Sequence, residues 1–252
     1  VVTVAADGIT ATDAVDIKGT SWLEYDSGWG YKREAVAVEE AEGGGYWLAL
    51  KNTSNYWDYQ TSTSKPQITW DIYKLDDTAR LATGQYTNGQ WTDETVYGAK
   101  SIAAYEELFD QDLNGDGIVG LDLSKLKMVE TDSTGVRLAR SDDGGLYFVT
   151  QYGTADQKIK AIKDGWLEYD YSSGNWVNRR EAVAIEQKDD VLILALKNTS
   201  TQWNGIQHET KTSWDVMHIS ATGKLLYGYW NSSTNQWVEQ SSWGVSIADY
   251  EI

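Results

Sequence analysis

The sequence predicts a mostly β protein built from two tandem homologous β-rich modules, residues 1–122 and 123–252, each a sandwich or small barrel-like unit. Three observations carry this: a duplication, short alternating apolar runs between polar turns, and one acidic, glycine-bearing loop near the junction. In the duplication, Trp22-Leu23-Glu24-Tyr25-Asp26 returns as Trp166-Leu167-Glu168-Tyr169-Asp170, and Arg33-Glu34-Ala35-Val36-Ala37 as Arg180-Glu181-Ala182-Val183-Ala184. Leu48 to Ser54 (LALKNTS) returns unchanged as Leu194 to Ser200, Trp70-Asp71 as Trp214-Asp215, and Ser101-Ile102-Ala103 with Tyr105-Glu106 as Ser246-Ile247-Ala248 with Tyr250-Glu251. Order and spacing hold within a few residues, so each copy reads as one structural unit. What both copies keep is what the module requires, for folding or for function.

Glu34 to Glu40, Tyr46 to Leu50 and Ile68 to Leu75 read as strands, because apolar residues alternate over short runs bounded by polar turns. In Ile68 to Leu75 the period of two puts Ile68, Trp70 and Ile72 on one face and Thr69, Asp71 and Tyr73 on the other. Trp70 and Trp214 are therefore expected in the core. Asn88-Gly89 is a two-residue hairpin signal that sets Tyr86 across from Trp91. The second copy lengthens this loop (Asn231 to Asn235) and keeps the aromatic pair as Trp230 and Trp237. Ser101 to Phe109 (SIAAYEELF) is the one helical stretch, a short helix closing the first copy.

The formal net charge of −17 makes nucleic acid and anionic membrane surfaces poor partners. No cysteine is present, which excludes a disulfide framework or a thiolate site. No apolar run approaches the ~20 residues of a membrane span, so no membrane insertion is expected. Val1 reads as the start of a mature fragment or of a piece cut from a longer chain. The 13 Trp and 16 Tyr against 2 Phe favour rings with a polar handle, which suit a boundary between apolar matter and water.

Between the copies lies Asp112-Leu113-Asn114-Gly115-Asp116-Gly117-Ile118, the opening of an EF-hand-like calcium loop. Alternate oxygen side chains suit a hard cation, Gly117 permits a sharp turn and the Ile118 carbonyl adds a backbone ligand. The twelfth position, where a bidentate Glu belongs, is Leu123; Asp122 is the nearest substitute. The expected Ca2+ ligands are Asp112, Asn114, Asp116, Ile118 and Asp122, with weak affinity.

Phe109 to Gly120 (FDQDLNGDGIVG) resembles the ending of the tryptophan-rich C-terminal domain of cyanobacterial and other bacterial exoproteins. Glu130-Thr131, Leu138-Ala139-Arg140 and Gly145 to Val149 resemble that domain's opening strands, and Thr212 to Leu225 its later strand-turn-strand. Nothing before Trp22 clearly matches the opening. The second copy stops at Ile252, where the pattern would run into another such loop. The resemblance implies a secreted or cell-surface location within a larger multidomain protein, and no particular activity.

For function, three readings compete. In a carbohydrate-binding or adhesion module, sugar C–H faces stack on exposed rings while amides take hydroxyls. Trp57 and Trp203, each following a retained KNTS, and Trp29 and Trp176, in turn-like stretches, are the first candidates; Tyr86, Trp91, Trp230, Trp237, Asn52 and Asn198 complete the set. The partner is then a polysaccharide or cell-surface glycan, and two weak sites on one chain raise avidity. In the second reading the chain is a calcium-stiffened spacer or surface-layer element with no ligand. The third is a glycosidase using paired carboxylates from Glu24/Glu168, Asp26/Asp170, Glu34/Glu181, Glu39/Glu186 or Asp71/Asp215. His208 and His218 both fall in the second copy, which excludes a Ser-His-Asp triad common to both. A non-catalytic binder is the expectation.

Overall fold

The structure, a computed structural model, describes residues 2–4, 11–14, 17, 23–58, 61–82, 85–87, 90–92, 94–129, 135–151, 154, 157–163, 165–188, 191–231, 233–234 and 236–245, without the side chains of 85–92 and several in 229–239. Among the described residues it is mostly β, 56% strand, with three antiparallel sheets and no closed barrel. Strands β1 (Val2–Val4) and β2 (Ala11–Ala14) form a ribbon. A five-stranded sheet follows: β3 (Tyr25–Asp26), β4 (Lys32–Glu40), β5 (Tyr46–Asp58) and β6 (Thr63–Leu75) in order. The ribbon β7 (Gln85–Thr87) and β8 (Gln90–Thr92) comes next, and β9 (Val96–Ala99) closes the five-stranded sheet beside β6. Tyr86 lies across from Trp91, as the turn signal required; the turn residues 88 and 89 fall outside the described set.

Two short 3-10 helices, Ala103–Leu108 and Leu123–Lys125, lead to a four-stranded meander. Its strands are β10 (Lys127–Met128), β11 (Arg137–Arg140), β12 (Leu146–Thr150) and β13 (Lys158–Ala161). The third sheet holds β14 (Tyr169–Asp170), β15 (Asn178–Lys188), β16 (Val191–Trp203), β17 (His208–Ile219) and β18 (Leu225–Leu226). Beyond the ribbon β19 (Gly228–Asn231) and β20 (Gln236–Glu239), strand β21 (Ser242–Val245) returns to pair with β17. Trp230 and Trp237 face each other in that ribbon's register.

The repeated segments take the same register in both large sheets. Arg33 pairs with Asn52 and Arg180 with Asn198, and the bulges fall at Ala35/Ala37 and Ala182/Ala184. Pleat decides the faces: Leu192, Leu194, Leu196, Met217 and Ile219 point to a core shared with Leu138, Leu146 and Phe148 of the meander. The third sheet and the meander thus form a sandwich. The other face of the meander, with Ala139, Tyr147 and Val149, meets Ala104 and Leu121. Trp70 and Ile72 enter a further cluster with Ile102, Tyr105 and Phe109. Trp70 is buried as expected, whereas Trp214 is half-buried.

The stretch expected as a helix over 101–109 is a single 3-10 segment. Its bonds run three residues back, Tyr105 N–H to the Ile102 carbonyl (2.8 Å) and Phe109 N–H to that of Glu106 (2.9 Å). Asp110 then turns the chain at φ 47°. Ile102, Tyr105 and Phe109 all enter one core, and the segment is a short run of tight turns, as 3-10 helices commonly are.

Candidate functional site

The long hairpins β5–β6 and β16–β17 carry candidate tryptophans at their tips. At the second tip Trp203 pairs with His208 across a four-residue loop closed by Asn204 N–H to the Gln207 carbonyl (3.1 Å). The Asn204 carboxamide oxygen accepts from the Ile206 and Gln207 amides, and Gly205 takes φ 96°. Sequence reasoning missed this turn, although its Asn204-Gly205 dipeptide suits one. Trp203 is 61% exposed, its ring edge-on to His208 at 5.2 Å. Between this tip and the turn at Gly174-Asn175 lies an open depression of about 640 Å³, floored by Thr201, Gln207 and Thr210. Thr201 N–H donates to the Val177 carbonyl (2.7 Å), tying the turn to the hairpin arm. Trp176, 42% exposed, closes that turn through paired bonds with Ser173.

The first sheet repeats the arrangement. Trp57 is 51% exposed and Trp29, on a turn organised by Asp26 and Ser27, is 93% exposed. Gly30 (φ 86°) lies so close to Asn55 that a Cβ there would sit 2.5 Å from its side-chain nitrogen, so this turn also rests on its hairpin arm. The structure therefore brings the Trp29 turn to the Trp57 arm and the Trp176 turn to the Trp203 arm. Tyr86, Trp91, Trp230 and Trp237 have side chains outside the described set.

Asn52 is corrected by the structure. It is buried, and its carboxamide oxygen accepts from Arg33 Nε (2.6 Å) and the Tyr31 hydroxyl (3.3 Å), so it holds the sheet and presents nothing to a ligand. Asn198 is half-buried on β16. Trp166 is exposed; its ring stacks on Tyr227 (6.4 Å) and shares the Arg180 guanidinium with Tyr169, each ring 5.1 Å away. This stack is not visible along the sequence, because its members come from three separate segments, 166–169, 180 and 227.

Of the retained carboxylates, Glu24, Asp71, Glu168 and Asp215 are engaged within the framework. Asp71 pairs with Arg33 (2.6 Å) and accepts from the Gly98 amide (2.7 Å); Asp215 lies 3.5 Å from Arg180 and accepts from Gly244 (2.9 Å). Glu24 and Glu168 accept the Ala35 and Ala182 amides at the bulges, where the ladder leaves an N–H without a strand partner. Glu168 also pairs with Arg140.

In the junction loop, Asp112 accepts from the amides of Gly115 (2.7 Å), Asp116 (3.1 Å) and Gly117 (2.8 Å), and these N–H groups, Gly117 first, hold its carboxyl below the usual range. Asn114 accepts from Asp116 and Asp116 from Ile118. Asp122 caps the second 3-10 helix through Ser124, which likewise lowers its carboxyl. The Lys125 ammonium stands 3.6 Å from Asp116 and 3.4 Å from Asp122, a monovalent cation between two of the expected calcium ligands. Among the described residues no three His, Cys, Asp or Glu side chains are grouped to hold a metal. The oxygen donors suit a hard cation, and the lysine shows that positive charge is accepted between them. Sequence reasoning missed the loop's anchor: Glu106, fully buried, accepts from the amides of Leu113 (2.9 Å), Asn114 (2.9 Å) and Gly120 (3.1 Å).

Comparison with family models, with curated proteins and with solved structures finds no match to this chain. Among the described residues no helix is long and apolar enough to cross a membrane.

Proposed function

We propose that the chain is a non-catalytic, secreted or cell-surface carbohydrate-binding protein of adhesion type, with polysaccharide taken on the loop tryptophans of two tandem modules. The observation that supports this best is exposure: Trp29, Trp57, Trp176 and Trp203 stand out from the surface at corresponding places of both large sheets. Exposed indoles beside polar side chains suit a sugar ring, whose C–H face stacks while its hydroxyls reach groups such as Thr201 and Gln207. Repetition on one chain raises avidity without new contacts. The engagement of Glu24, Asp71, Glu168 and Asp215 by arginines and bulge amides favours a framework role for them over acid–base chemistry.

Calcium belongs to this reading as a structural ion. Asp112, Asn114, Asp116, Asp122 and the Ile118 carbonyl would hold it, and it would supply positive charge where Lys125 now serves. The likeness of Phe109 to Gly120 to the tryptophan-rich exoprotein domain fits the same picture and a larger parent protein.

The test is intrinsic tryptophan fluorescence titrated with soluble polysaccharides, first with calcium and then with chelator. A saturable shift with one glycan class is expected, reduced at least about tenfold in affinity by Trp203→Ala or Trp57→Ala with Tm unchanged. A flat response across the panel, with calcium raising only the Tm, would replace the binder by a calcium-stiffened spacer. Asp112→Ala is expected to abolish the calcium-dependent part of the Tm.

A further inference from the structure

One rim occurs twice in this chain and is covered once. In the third sheet, the bulge of β15 is covered by strand β11 of the meander. Val136, Leu138 and Arg140 stand at alternate positions of that segment and share a face. Val136 and Leu138 pack into one core with Ala182 and Ile185. Arg140 completes the row: its Nη2 and Nε (3.3 Å) donate to the Glu168 carboxylate, and Nη2 also donates to the Ala182 carbonyl (3.3 Å). Ala182 is left 1% exposed.

The first sheet repeats this rim without its cover. Glu24 accepts the Ala35 amide (3.1 Å) as Glu168 accepts that of Ala182 (2.7 Å), and Leu23 is buried like Leu167. Among the described residues that amide is the Glu24 carboxylate's one partner, and no guanidinium stands where Arg140 does. Ala35 is exposed, Val36 is 38% exposed, and Val38, in the place of Ile185, is half-buried. The ribbon β1–β2 pairs only with itself. We propose that this rim docks a β-strand of a partner protein that carries two apolar residues and an arginine at alternate positions. Its apolar pair would cover Ala35 and Val38, and its guanidinium would bond the Glu24 carboxylate and the Ala35 carbonyl.

The occupant is read from the other copy, where β11 meets the same rim residues with that pattern. Charge agrees: an exposed carboxylate without a cation, on a chain of −17, attracts a cationic strand. A second copy of this chain fits less well, because its own β11 already lies on its third sheet and it brings the same negative charge.

The rim shares no residue with the tryptophan tips, so strand docking and glycan binding can fail separately. The probe is a fluorescein-labelled peptide copying residues 135–141 (GVRLARS), titrated with the whole chain and read by anisotropy. Saturable binding at one per chain is expected, weak as suits a small interface. Arg140→Ala in the peptide, or Glu24→Gln in the chain, is expected to lower affinity at least about tenfold, since each removes one side of a charge-assisted pair. Arg137→Ala in the peptide removes the same charge from the opposite face and is expected to leave affinity nearly unchanged. Ala35→Arg, which sets the chain's own guanidinium beside Glu24, is expected to abolish binding; circular dichroism checks that both chain variants fold. Equal losses from Arg137→Ala and Arg140→Ala would reduce the contact to unspecific attraction and overturn the proposal. So would binding that survives Glu24→Gln and Ala35→Arg, binding lost on Glu168→Gln instead, which would place the peptide on the third sheet, or no saturable binding. Self-association of the chain that Glu24→Gln abolishes would give the rim to a second copy and overturn it as well.

Discussion

The two large sheets contain the same strand, LALKNTS, in the same register, yet bury it differently. In the third sheet Leu194 and Leu196 belong to a core of fourteen buried residues, among those described, closed by the meander. Among the described residues, Leu48 and Leu50 of the five-stranded sheet share theirs with Leu23, Tyr73 and Leu75, edged by half-buried Ile17, Val38, Tyr46 and Leu81. The opposite faces reverse the order. Ala49 and Trp70 are buried with Ile102, Tyr105 and Phe109, while Ala195 and Trp214 are half-buried. The repeated arginine meets the repeated aspartate at different distances, Arg33 to Asp71 at 2.6 Å and Arg180 to Asp215 at 3.5 Å, and Arg180 also bonds the Leu167 and Trp166 carbonyls. A repeated sequence therefore specifies a sheet and its register, and what is laid on each face decides how much that sheet contributes to stability.

The sharpest way to break this comparison is at the arginine. Asp71→Ala removes the partner of both Arg33 and the Gly98 amide and should cost about 3–5 kcal/mol in urea unfolding. Asp215→Ala should cost less, about 2–3 kcal/mol, since its contact with Arg180 is the longer, 3.5 Å against 2.6 Å. Equal losses would mean the two pairs are equivalent despite their geometry. Next comes the shared leucine: Leu196 and Leu50 are both fully buried, so Leu196→Ala and Leu50→Ala should each cost about 2–5 kcal/mol. A loss well below that range at one of them would show its sheet to be the more loosely packed.

A smaller effect is expected at the loop that Glu106 anchors. Glu106→Gln keeps the size of the side chain but sets an NH2 against a loop amide, a cost of about 1–3 kcal/mol. Faster hydrogen exchange at the Leu113, Asn114 and Gly120 amides would locate it. The smallest effect separates the sheets by pH. Burial holds the His218 imidazole below its ordinary 6.5, so the unfolded chain takes up the proton first. Stability should then be full above about pH 6.5 and fall as pH drops through the lower folded value. After solvent screening the loss should be about a degree or two in Tm. Lys74 occupies the matching place in the first sheet. His218→Gln should flatten the acid limb; an unchanged limb would assign it to other groups.

Much of the β framework was legible along the chain. Alternation located β4 to β6, the repeat located β15 to β17, and Asn88-Gly89 foretold the facing of Tyr86 and Trp91, because pleat and turn geometry are local properties. The loop tryptophans were legible as candidates because polar, glycine-bearing neighbours cannot bury an indole. Asn52 misled, since an amide after a strand reads as surface until the arginine opposite it is known. Glu106 was invisible as an anchor, because its three donors lie seven to fourteen residues further on in a loop with its own acidic pattern.

Sequence alone determined the repeated strands, their faces, the acidic surface and the oxygen-rich loop, all of which follow from period and residue type over a few positions. Only the tertiary structure decided which face of each sheet is covered, which arginine meets which acceptor, and where Lys125 puts its charge. Those outcomes depend on contacts between segments far apart in the chain, and two copies of one strand cannot encode two different partners.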